Sequence, residues 1–111
     1  MPLQEVQQNN LTIEFYESLT NRLDHEQNIN VKLGALIAVK NLILYTQLHD
    51  HILYGLLIDS ISDPEKEVQE LAIKIINKVF NPEVKELLYI KLIESNESTH
   101  EIITQILATN S

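Results

Sequence analysis

The chain has 111 residues, room for one domain and little more, and 44% of them are hydrophobic, which suits a packed core and not a disordered chain. Sixteen acidic residues against eight basic ones leave a net charge of -8, and the basic residues are Arg22 and scattered lysines. Without a basic cluster to displace counterions from phosphate, nucleic acid and anionic membranes are poor partners, and a basic protein surface is a better one.

The opening stretch, MPLQEVQQNN, is polar and acidic and does not read as a signal peptide; residues 1–9 are expected to form a loose tail. From there on the chain is poor in Gly and Pro, and no segment alternates apolar with polar residues over a strand's length, so every element is expected to be a helix. The first, over about 10–26, places Phe15, Leu19 and Leu23 on one face. A second, over about 29–47, starts after Asn28 or Asn30 and aligns Val31, Ala35, Ala38, Val39 and Leu42 in one stripe. HILYGLLIDSI, residues 51–61, supplies a third over about 49–62. Asp63-Pro64 reads as an N-cap followed by proline at the first helical position, opening a fourth helix over 64–80 with Glu65 and Glu67 in its first turn. Asn81-Pro82 opens a fifth over 82–94 in the same way. The sixth, about 97–109, carries Ile103, Ile106 and Leu107 on one stripe.

Two of these segments repeat. VKLGALIAVKNL (residues 31–42) and VQELAIKIINKV (residues 68–79) superpose with apolar residues coincident at Val31/Val68, Ala35/Ala72, Ala38/Ile75, Val39/Ile76 and Leu42/Val79. The third and fifth segments align as well, pairing Ile52 with Val84, Leu56 with Leu88 and Ile61 with Ile93. A period in the thirties points to stacked helical hairpins. The pattern resembles the HEAT and armadillo repeats of α-solenoids: DPEKEVQELAIKII (residues 63–76) fits the second-helix motif, and NINVKLGALIAV (residues 28–39) fits it with Asn in place of Asp. The resemblance implies an all-α fold, an α-α superhelix of about three antiparallel hairpins spanning residues 10–109. The arginine usual after the Val is replaced by Lys32 and Gln69, and Thr99 stands where the third unit would have Val. The arginine-to-acid ladder common in such stacks is therefore not expected, and the degenerate third unit reads as a cap or a truncated array.

Neither a phosphate-binding glycine loop nor a nucleophile, zinc-protease or cysteine-metal motif is present, so the chain is expected to be no enzyme and to need no cofactor. His49-Asp50-His51 is the one local cluster of metal-capable groups; its i, i+2 spacing does not share a helix face, and Asp50 reads as an N-cap between solvated histidines. Lys66, Glu70, Lys74 and Lys78 step along one solvated face, Glu65, Glu67, Glu94, Glu97 and Glu101 form an acidic rim suited to solubility or to a partner, and the four tyrosines are expected in or beside the core. The second helix is the exception. Leu33, Ile37 and Leu44 lie opposite its stripe, with Leu36 and Ile43 on the flank, so it is apolar almost all round. Such a helix is either buried centrally, with the N-terminal helix curled over it, or offers a groove to a partner or a second copy. The expected function is a non-enzymatic protein-interaction or scaffold module, binding a peptide, a helix or a subunit of a larger assembly through Leu33, Leu36, Ile37, Lys40 and Leu44. Self-association, a fragment of a longer solenoid, a small helical metal or ligand binder and a nucleic-acid-acting HEAT-like enzyme are the rivals. An intracellular, cytoplasmic location is the expected one.

Overall fold

A computed structural model describes residues 14–23, 28–45 and 51–111. Among them are six α-helices and no strand: α1 (14–23), α2 (Ile29–Tyr45), α3 (His51–Asp59), α4 (Lys66–Val79), α5 (Pro82–Glu94) and α6 (Glu97–Thr109). The all-helical expectation holds. The N-terminal tail, His25, His49, Asp50 and the outer ends of the first two expected helices lie outside the described residues.

The helix starts follow from side-chain chemistry. Asn81 Oδ1 accepts a hydrogen bond from the Val84 amide at 2.8 Å, and Pro82 occupies the first helical position, where its missing amide hydrogen leaves no bond unmade. Asn96 caps α6 in the same way, accepting from the Thr99 amide at 3.0 Å. The Asp63-Pro64 start differs from its expected form. Helix α4 begins at Lys66, and Asp63 sits ahead of it with Oδ1 accepting from the Glu65 amide at 2.9 Å. The other oxygen, Asp63 Oδ2, meets Lys32 Nζ of α2 at 2.9 Å, with both side chains about nine-tenths buried. Gln69 Nε2 also donates to the Asp63 carbonyl. Asp63 thus fastens the start of α4 to α2. Lysine makes this link as a compact point charge, without the planar fork an arginine would bring.

Helix α2 packs on α4, α3 on α5 and α4 on α6; the successive pairs α2/α3, α3/α4 and α5/α6 touch as well. The chain after α3 tightens into a 3-10 turn, Ser60–Ser62, which lies against both α4 and α6. All six helices contribute to one core, including Leu19 of α1, Leu36 and Val39 of α2, Leu53 and Tyr54 of α3, Ile76 of α4, Leu88 of α5 and Ile103 of α6. Each such side chain removed from water stabilises the fold by about 1.5–3 kcal/mol. No buried side-chain nitrogen or oxygen among the described residues lacks a hydrogen-bond partner.

Two expected faces are rotated. In α1 the buried side chains are Tyr16, Leu19 and Leu23, while Phe15 is exposed. In α2 they are Lys32, Ala35, Leu36, Val39 and Ile43, and Val31, Ala38 and Leu42 are only half-buried. The α4 stripe, by contrast, is buried at all five expected positions, Val68, Ala72, Ile75, Ile76 and Val79. The physical reason lies in the polar faces. Helix α4 carries a charged strip that can only face water, which fixes its rotation. Helix α2 has none, so its neighbours set its rotation, and the ion pair with Asp63 allows Lys32 to turn inward.

Candidate interaction surface

Seven of the thirteen residues of α5 are aliphatic or aromatic. Only Val84 and Leu88 are fully buried, and Leu87 and Leu92 are partly covered at the edge of the core. That leaves Tyr89, Ile90 and Ile93 exposed, at 48%, 50% and 86% of their surface. With 3.6 residues per turn these three share one side of the helix with Glu86. Glu83 and Glu94, both exposed, stand near its two ends.

Beside this strip runs a groove of about 150 Å³ between α3 and α5, with Gly55 and Ile58 on one wall and Leu87 and Ile90 on the other. A methyl group added at Gly55 would meet no heavy atom of the described residues within 4 Å, so the groove is open at that point. The two walls are held together by polar contacts. Asn81 Nδ2 donates to the Tyr54 hydroxyl at 2.9 Å while Asn81 Oδ1 caps α5, so one residue ties the buried tyrosine of α3 to the start of α5. Lys91 Nζ lies 3.3 Å from Asp59 Oδ1 at one end of the groove, and His51 Nδ1 lies 3.8 Å from Glu83 Oε2 toward the other. Exposed pairs of this kind contribute little, at most about 1 kcal/mol for the Lys91–Asp59 pair.

The five residues singled out on α2 are dispersed by the fold. Leu36 is wholly buried and so offers nothing to a partner. Leu33 and Leu44 are partly buried against the core, and Lys40 is half-buried. Ile37 is exposed at 42%. The exposed line of α2 reads Asn30, Gly34, Ile37, Asn41 and Tyr45, a neutral strip and not an apolar groove. Of the two readings of this helix, burial accounts for most of its apolar surface. The solvated face of α4 is as expected, with Lys66, Glu70, Lys74 and Lys78 all exposed. Tyr16 and Tyr54 are core residues, whereas Tyr45 and Tyr89 are exposed.

The α5 strip is what residue spacing missed. Alignment with the third segment pairs Ile93 with Ile61 as equivalents, yet Ile61 is fully buried and Ile93 is the most exposed large apolar residue described. The signal was present: the seven aliphatic and aromatic residues of α5 spread over more of the helix than one buried stripe can take.

A larger cleft of about 270 Å³ opens near Leu23, Lys32, Leu56 and Asp63. Its polar groups are engaged with one another. Lys32 and Asp63 form the buried pair, Ser60 Oγ donates to the Leu56 carbonyl at 2.9 Å, and Ser62 Oγ meets Thr99 Oγ1 at 3.3 Å. Among the described residues no three His, Cys, Asp or Glu side chains are grouped so as to hold a metal ion, and no helix is long and apolar enough to cross a membrane. No family model, no curated protein and no solved structure matches the chain.

Proposed function

We propose that the chain is a non-enzymatic protein-interaction module, built from HEAT-like helical hairpins stacked in an α-α superhelix and acting as a scaffold for a subunit or segment of a larger assembly. The observation that carries this reading is the exposed apolar strip of α5, Tyr89, Ile90 and Ile93, outside a core that already buries side chains from every helix. Contiguous exposed apolar surface rimmed by polar groups marks interaction sites on soluble domains. Contacts between next-but-one helices and the Lys32–Asp63 link between α2 and the start of α4 support the hairpin-repeat part of the reading.

The test is affinity capture from the source cells with the wild-type chain and with an Ile90→Asp/Ile93→Asp variant, followed by mass spectrometry. A protein retained by the wild type and lost from a variant of unchanged helicity is the expected result. Identical retention by both, or turnover of a small substrate by the purified chain, contradicts the reading.

A further inference from the structure

If the chain is the interaction module proposed above, its surface also specifies the chemistry of the partner. We infer that the groove between α3 and α5 docks an amphipathic helix of another protein, which seats one apolar side chain over Gly55 and sets its lysines or arginines against Glu83, Glu86 and Glu94. The groove has the right size and lining. Its volume, about 150 Å³, suits a single benzene-sized or branched aliphatic group, and Ile58, Leu87 and Ile90 give that group apolar walls. The exposed Tyr89 and Ile93 extend the apolar surface beyond it, so a helix with anchors one turn apart covers both.

Gly55 bears on the same point. Glycine in the middle of a helix weakens it relative to alanine, and here nothing inside the chain comes close enough to need the missing side chain. Gly34 also has free space around it, but that space lies on an exposed helix face, whereas the space at Gly55 is walled by α5. A Cβ at position 55 would meet no heavy atom of the described residues within 4 Å, and a longer side chain there would extend into the groove.

Charge selects the occupant. The exposed side of α5 presents Glu83, Glu86 and Glu94 against Lys85, and the neighbouring Lys91 and Asp59 already face each other. The chain as a whole carries -8. A second copy docking through the same α5 face would bring carboxylates against carboxylates, and a nucleic acid would bring phosphates against them, both repulsive. A cationic amphipathic helix meets the apolar strip and the acidic rim together.

Fluorescence anisotropy with a labelled synthetic helix of sequence LKKLLKLLKKLLKL tests this on the full chain, with a glutamate-for-lysine version as the charge control. The wild type is expected to bind the lysine peptide and not the glutamate peptide, and to lose affinity as salt rises. Gly55→Leu, which changes no charge, is expected to weaken binding about tenfold or more while the melting temperature holds or rises; Ile90→Asp, on the opposite wall, is expected to do the same to binding. No binding by the wild type, equal binding of both peptides, or unchanged affinity in both variants overturns the proposal. If the groove variants lose nothing in either peptide binding or native capture while Ile90→Asp/Ile93→Asp still loses the captured protein, the groove assignment fails and the interaction reading stands. Loss of the captured protein's dependence on the double variant as well removes both.

Discussion

Helices α2 and α4 stand 37 residues apart in the same register, and the chain treats them in opposite ways. Helix α4 divides cleanly into a buried stripe and a charged strip, so its role can be read from its spacing alone. Helix α2 is apolar on nearly every side, carries a lysine in its buried set, and takes its rotation from α4, α3 and the Asp63 carboxylate. The lesson is that a polar face orients a helix as surely as an apolar one. Where the polar face is missing, apolar residues divide between core and surface in a way that only the neighbours decide.

Matched substitutions at equivalent steps of the two helices break or sharpen this contrast. The largest difference is expected at Leu36 and its counterpart Ile73. Leu36 is wholly buried and Ile73 only partly, so Leu36→Ala is expected to cost about 3–4 kcal/mol and Ile73→Ala about 1–2 kcal/mol in urea unfolding. Equal losses would mean that α2 is no more central than α4. Next come Lys32 and Gln69. Lys32→Met leaves the buried Asp63 carboxylate without its cation and is expected to cost about 3 kcal/mol, most of it recovered when Asp63→Asn is added. Gln69→Ala removes one neutral hydrogen bond to the Asp63 carbonyl and is expected to cost about 1 kcal/mol. A Lys32→Met variant as stable as the wild type would show that the pair does not form in solution. On the other side of α2, Leu33→Asp is expected to cost about 2 kcal/mol, because Leu33 packs on the core, and Ile37→Asp no more than about 0.5 kcal/mol. Thermal melts of the two single variants separate those values. The smallest effect has the opposite sign. Gly34 is exposed with open space around it, so Gly34→Ala is expected to stabilise the chain by about 0.5–1 kcal/mol.

Most of the helical layout was legible because its signals are local. The cap Asn81 acts where the sequence puts it, and the α4 stripe is buried as its spacing requires. What the sequence did not disclose depends on contacts between distant residues. Asp63 looked like a simple cap, and local spacing did not show that Lys32, 31 positions away, pairs with its second oxygen. Ile61 and Ile93 looked equivalent. The 3-10 turn after α3 winds more tightly than an α-helix and carries Ile61 inward, whereas α5 continues unbroken to Glu94 and keeps Ile93 outside. The candidate surface was sought on α2 because that helix had too many apolar residues, whereas on the fifth segment only the three positions aligned with the third were singled out. No spacing rule separates these two cases. Helix α2 is covered by α4 and α3, while α5 has α3 and α6 against it and still leaves one side open.

The surplus apolar residues of α2 thus go largely to the chain's own core, whereas those of α5 stay exposed and, in the proposed function, await a partner. Equilibrium urea unfolding of the Ile90→Asp/Ile93→Asp variant tests this division most directly. A free energy within about 1 kcal/mol of the wild type is the expected result, because carboxylates at exposed helix positions displace nothing. A loss of about 3 kcal/mol or more would place Ile90 and Ile93 inside the fold and contradict the account.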